Sequence, residues 1–326
     1  MTLTFLQRDR KSRAFDTNCA LIDDAKGNLH AVLQHIAPSG PNPTRPASSI
    51  VAQPLLEDLT AFSGQRRQVV FCNNRTALLY HYEEPRIIRR PGNGFYLLTC
   101  SWGGQYFEDS VNFYTAGHQI LYELDEQFNI QKERHPVYRC NGAHHFSNLK
   151  DERNWLPLLY DGQLFMICHL APHTAFREID EYDTEEYKTP GISSWEYGTP
   201  NGGSSPYPFD DNTSIVFFHS YLTKGSVRTY YVGVYLLENK PPFRIVRNSQ
   251  KPLAIGDLQQ TADNEFKTQI AYFVSPSAPS AHKPQHAVLF PCGAVRRDKR
   301  WLVGVGINNI TAGILTFSDT EVEASL

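Results

Sequence analysis

Four short stretches of this chain concentrate side chains able to handle protons and anions. They are EEPR (Glu83–Arg86), ERNW (Glu152–Trp155), GGSSP (Gly202–Pro206) and FPCG (Phe290–Gly293). A carboxyl gives or takes a proton, and a guanidinium grips an anion with a two-pronged fork. Each stretch stands just before an apolar run, while His169, His173, His219 and Asn308–Asn309 stand near the ends of such runs. The same residues also have quieter readings. Glu84 and Arg86 can form an ion pair that closes a sheet, and Arg153 can be a similar strut. Trp155 and His219 can be core residues, and Gly202, Gly203 and Ser204 only a flexible loop.

Other constellations carry less. His144 and His145 are adjacent, which suits one metal ion poorly, and no third ligand stands near them, so no metal and no cofactor is expected. The six cysteines, Cys19, Cys72, Cys100, Cys140, Cys168 and Cys292, are scattered without metal-ligand spacing, mostly inside apolar runs. They read as reduced, buried thiols, which points to a cytoplasmic location. The acidic run EIDEYDTEE (Glu178–Glu186) reads as a solvated loop. There is no G-x-S-x-G, Walker A or G-x-G-x-x-G motif.

The elements that must position these residues are strands. Runs such as GFYLLTCSW, QLFMICHL, TSIVFFHSY and RWLVGVGI are short, rich in β-branched and aromatic residues, and bounded by Gly, Asn, Asp or Pro. The best helical candidate is Ser48–Phe62, which Pro54 interrupts. One phrase recurs five times: apolar strand, polar turn, apolar strand. Its copies are CALIDDAKGNLHAVLQHI, PRIIRRPGNGFYLLTCSW, WLPLLYDGQLFMICHL, SPYPFDDNTSIVFFHS and FPCGAVRRDKRWLVGVGI, with turns at Gly27, Asn93, Gly162, Asn212 and Lys299. Further strands fit after most copies, as HQILYELDEQFNI, YYVGVYLLENKPPFRIV and AGILTF. Five such units predict an all-β chain, a single five-bladed β-propeller over residues 1–326 with a central substrate funnel. The alternative is a β-sandwich with long loops. The loops Pro38–Ser48, Thr189–Pro208 and Ser275–Pro284 punctuate the chain without dividing it. In a propeller the start of each repeat lies on one rim, which gathers the four stretches above.

Those stretches carry a resemblance. YEEPRI resembles the (E/D)DPR motif of glycoside hydrolase family 130 and the related glycosyltransferase family 108. DERNWLPLLYDGQLFMICHLAPH, NGGSSPYPFDDNTSIVFFHSY and LFPCGAVRRDKRWLVGVGINN resemble three further stretches of those families, in the same order, over about Tyr82–Phe317. The resemblance implies a five-bladed fold and mannosyl-type chemistry: transfer of a glycosyl unit between a phosphorylated sugar and a carbohydrate acceptor, by a glycosyltransferase or an inverting phosphorylase. A hydrolase of the same fold, or a non-catalytic propeller that binds glycan or protein, is the alternative. The implied catalytic acid is Glu84, where the families have Asp. Arg86, Arg153 and His219 would hold phosphate. Asn154, Trp155, His169, Ser204 and Asn309 would contact substrate, Asn309 replacing a family Asp. The implied partners are a sugar or sugar phosphate and inorganic phosphate.

The bulk properties agree. A net charge of −3 and a pI near 6.5 argue against a nucleic-acid binder. No run is apolar for long enough to span a membrane, and the first residues lack a signal-peptide pattern.

Overall fold

A computed structural model describes residues 1–6, 14–38, 46–59, 62–70, 81–102, 117–136, 138, 153–179, 183–258 and 285–326. These form an almost wholly β structure in five blades. The first blade holds β2 (Phe15–Asp23), β3 (Leu29–Pro38), β4 (Pro46–Pro54) and β5 (Arg67–Val70), and the second β6 (His81–Arg89), β7 (Phe95–Trp102), β8 (Gly117–Leu124) and β9 (Ile130–Arg134). The third holds β10 (Leu156–Tyr160), β11 (Gln163–Leu170), β12 (His173–Glu178) and β13 (Thr184–Thr189). The fourth holds β14 (Tyr207–Pro208), β15 (Thr213–Lys224), β16 (Val227–Glu238) and β17 (Ile245–Asn248), with β18 (Ala254–Ile255) also against β16. The fifth holds β20 (Leu289–Arg297), β21 (Arg300–Ile307) and β22 (Thr311–Ser318), and is completed by β1 (Thr2–Phe5), which pairs with β22. A short helix, α1 (Asp319–Ser325), follows β22.

Antiparallel neighbours within each blade follow chain order, as short turns dictate. The five predicted turns each join the first two strands of a blade, so the repeated phrase is the inner hairpin. Blades also touch through parallel pairs. Ser48 of β4 pairs with His81 of β6, and β19 (Gln285–Ala287), just before β20, pairs with β16.

Side-chain alternation explains why the strands read as continuous apolar runs. Each inner blade surface is buried against a neighbour, so both faces are apolar. Leu97 packs between the first and second blades, and Leu98 between the second and third. Val216 and Phe218 face the third blade, whereas Ile215 and Phe217 face the fifth. Cys19, Leu21 and Val51 meet Val295, Leu302 and Ile314 between the fifth and first blades, which closes the ring.

The same double burial accounts for one correction. Residues 48–54 are in strand β4, not a helix. Ile50 and Ala52 pack toward the second blade and Val51 toward the fifth, an alternation of period two. Thr184–Glu186 of the acidic run are likewise in outer strand β13 and not in a solvated loop; Glu185 pairs with Arg177 and Glu186 with Lys188. Pro38 and residues 46–48, predicted as loop ends, lie in β3 and β4. Cys19, Cys100, Cys168 and Cys292 are buried. Cys72, Cys140, Asn141, Gly142, His144, His145, Glu152 and the Ser275–Pro284 loop lie outside the described residues. Among the described residues no helix is long and apolar enough to cross a membrane.

Candidate functional site

A cavity of about 770 Å³ opens where the second, third and fourth blades converge with the start of the fifth. That volume suits a small ligand such as one or two sugar rings. Six of the nine residues singled out in the sequence line it: Glu84, Arg153, Asn154, Trp155, His169 and His219. Arg86 and Ser204 lie buried behind the wall, and Asn309 is exposed in the β21–β22 turn, apart from the lining.

Glu84 is delivered by a break in β6. The pairing with β7 shifts between Glu83 and Arg86, and Glu84 has a φ of +57°. A glutamate rarely adopts this left-handed conformation, which costs on the order of 1 kcal/mol or more. Pro85 supplies no backbone donor, in keeping with a bulge. Arg86, only 1% exposed, is not among the residues that line the cavity. Its Nε donates to the Gly203 carbonyl at 2.7 Å and its Nη1 to the Glu84 carbonyl at 2.6 Å, with the Glu84 carboxylate 3.9 Å away. The guanidinium also lies 5.0 Å over the Phe290 ring. Arg86 therefore fixes the backbone that carries Glu84 and ties it to the segment entering the fourth blade.

That segment is pinned. Asn201 and His219 exchange backbone hydrogen bonds, Ser204 N–H donates to the Phe217 carbonyl, and Ser204 Oγ accepts from Phe217 N–H. The glycines are required by close approach: a Cβ on Gly202 would lie 2.0 Å from the Asn154 carbonyl oxygen, and one on Gly203 2.1 Å from that of Phe217.

His219 is 3% exposed, with Nδ1 2.8 Å from the Gly202 carbonyl. A carbonyl only accepts, so Nδ1 carries the proton. Burial, reinforced by the Arg86 charge, pushes the pKa of His219 down to about 3. The imidazole is thus neutral near pH 7, and brings no positive charge to the wall. Trp155 is also largely buried, edge-on to Phe176 at 5.1 Å between the second and third blades. Asn154, with φ +62°, leaves its Oδ1 without a hydrogen-bond partner among the described residues. His169 is exposed on β11, where the register with β12 shifts.

Sequence reasoning placed the strands of the fourth-blade hairpin but missed the residues at its far end. β15 and β16 are each twelve residues long, and their far end brings Tyr221, Arg228 and Tyr230 to the cavity. Arg228 lies 4.4 Å over the Tyr221 ring, and its buried Nε has no hydrogen-bond partner among the described residues. Tyr221 packs on Tyr230 at 5.4 Å, Tyr230 on His219 at 5.8 Å, and His219 on Phe290 at 4.5 Å. A column of four rings thus lines one wall, with Arg228 at the cavity end and Arg86 at the buried end. The signal available in the sequence was the length of the paired runs around Lys224–Gly225, which exceeds that of the other hairpins. Among the described residues no cluster of His, Cys, Asp and Glu could hold a metal ion.

No protein-family model matches the chain, and no curated protein matches its sequence. Solved structures share its fold. One belongs to the family 130 group of mannoside phosphorylases, which contains glycoside hydrolases that target β-1,2 mannosidic linkages in Candida mannan. It is 13% identical, with a TM-score of 0.65 over 95% of this chain and 86% of that one. A β-1,2-mannobiose phosphorylase from Listeria innocua is 11% identical, with a TM-score of 0.59 over 98% and 94% of the two chains. A GDP-Man-dependent mannosyltransferase from Leishmania mexicana is 11% identical, with a TM-score of 0.56 over 98% and 90%. The fold implied by the sequence motifs, a five-bladed propeller of the kind found in both groups, is the fold of this chain.

Proposed function

We propose that the protein is a carbohydrate-active enzyme that moves a glycosyl unit, of mannosyl type, between a phosphorylated sugar and a carbohydrate acceptor. One observation carries this reading: a carboxyl from the second blade and guanidinium groups from the third and fourth, Glu84, Arg153 and Arg228, line one cavity of sugar size. In the synthetic direction an acceptor hydroxyl attacks the anomeric carbon, its proton passes to the Glu84 carboxylate, and the bond to phosphate breaks. In the reverse direction a phosphate oxygen attacks while Glu84 protonates the departing glycosidic oxygen. Arg153 and Arg228 hold the phosphate, and Asn154, which lines the same cavity, contacts the sugar.

The likeness of fold to a phosphorylase and a mannosyltransferase supports the class of substrate. The placement of Arg86 and the neutrality of His219 give a specific reason to keep hydrolysis as the second reading. Of the three groups expected to hold phosphate, Arg86 is not among the lining residues and His219 is neutral, so neither gives phosphate a direct cationic contact and water is the competing nucleophile.

The test is turnover of sugar 1-phosphates, mannose 1-phosphate first, with monosaccharide acceptors, read as released phosphate. Glu84→Gln is expected to lower kcat by about 10²–10⁴-fold, the usual contribution of a positioned acid or base. Glycoside cleavage without any need for phosphate would establish the hydrolase. No turnover of either kind, with glycan binding unchanged in Glu84→Gln, would leave a binding module.

A further inference from the structure

The strand that presents Glu84 is held from behind by a different blade. Its positive φ sits at a bulge, and such a conformation persists only where the surroundings over-determine it. Downstream the hold is Arg86. Upstream it comes from the first blade, at the parallel pair between Ser48 and His81.

There the Ser48 hydroxyl donates to the Tyr82 carbonyl, two residues before Glu84. Ser48 Oγ accepts from Gln34 Nε2 at 3.0 Å, and Gln34 Oε1 accepts from Asn18 Nδ2 at 2.6 Å. The chain therefore crosses β2, β3 and β4 and ends on β6. All three side chains are buried, so each bond forms away from competing water, and every donor points the same way, so each polarises the next. Asn18 itself sits at a bulge of β2 with a φ of +47°. Gly306 of the fifth blade leaves it room, since a Cβ there would stand 2.1 Å from Asn18 Oδ1. This polar chain ends beside the strained bulge, where apolar residues would serve for cohesion alone.

We infer that Asn18, Gln34 and Ser48 are positioning residues for Glu84, fixing the Tyr82 carbonyl and so the bulge that aims the carboxyl into the cavity. The inference rests on the reading of Glu84 as the proton-transfer group. None of the three lines the cavity, so they act through the backbone of β6.

The test is a double-mutant cycle on the full chain. Ser48→Ala is expected to lower kcat at least tenfold with KM little changed and to displace one limb of the pH–rate profile, and Ser48→Thr, which keeps the hydroxyl, to recover most of the loss. Placed on Glu84→Gln, Ser48→Ala is expected to have no further effect, because the group it positions is gone. An equal fractional loss in both backgrounds, or a change confined to KM, would overturn the inference. Gln34→Met breaks the same chain from another strand and serves if Ser48→Ala fails to fold. If the wild type turns over neither sugar phosphates nor glycosides, the reading of the site fails. The positioning is then decided by carbon-13 NMR titration of the Glu84 carboxyl: a midpoint displaced by Ser48→Ala or Gln34→Met supports it, and superimposable titrations sink it.

Discussion

The neutral imidazole of His219 makes a prediction about pH. Its pKa is pushed down to about 3 by burial and then by Arg86, and burial alone brings that of His173 down to about 4. In the unfolded chain both return to the ordinary value near 6.5. Between these limits the unfolded state binds more protons, so stability is full above pH 6.5 and declines as pH falls through the window. The paired carboxylates act lower. Burial raises Asp16 and Glu123, but hydrogen bonds from His35 and Arg66, and from Arg134 and Arg90, outweigh it and hold both below their usual range. Loss of urea resistance between pH 6.5 and 4.5 is therefore a histidine effect, at most about 1.4 kcal/mol per pH unit for each group. His219→Gln is expected to flatten that slope, measured as urea midpoints at pH 7.5, 6 and 4.5. An unchanged slope would place the burial of His219 in error.

At the scale of elements, the entry to the fourth blade depends on glycine. A Cβ on Gly203 meets the Phe217 carbonyl oxygen at 2.1 Å and Pro291 Cγ at 2.9 Å, and the Gly203 carbonyl is the acceptor for Arg86 Nε. Gly203→Ala is expected to destabilise by about 1–3 kcal/mol, as overpacking does. It should also weaken turnover through Arg86, which chemical denaturation and kinetics together would register. The inner hairpins were legible in the sequence because turn residues such as Gly162 and Asn212 punctuate apolar runs that packing on both faces keeps continuous. So was the rim, because the start of each repeat falls at one end of the fold. What the repeat could not reveal was the direction of a side chain at a bulge. Arg86 follows Glu84 by two residues and on a regular strand would share its face, yet Glu84 lines the cavity and Arg86 does not. Nor could it reveal Arg228, since a third strand belongs far from the axis unless its hairpin overreaches the blade, as β15 and β16 do.

At the scale of the molecule, β1 holds the ring shut by pairing with β22 across the whole sequence, and Leu3 packs into the cluster between the fourth and fifth blades. Leu3→Pro removes a ladder donor and that packing, and is expected to cost about 1–3 kcal/mol. The matching change at Ile130, 42% exposed on outer strand β9, should cost much less. Similar unfolding midpoints for the two variants would show that closure contributes little.

The clasp between β1 and β22 also orders events in time. While the chain is being synthesised, Thr2–Phe5 has no partner until Thr311–Ser318 has left the ribosome, so a bare strand edge persists while the intervening blades are made. Such distant pairing is slow to form and open to wrong partners in the interval. A nascent chain stalled before β22 would be left with an unlatched barrel of blades and an edge that invites association with its neighbours.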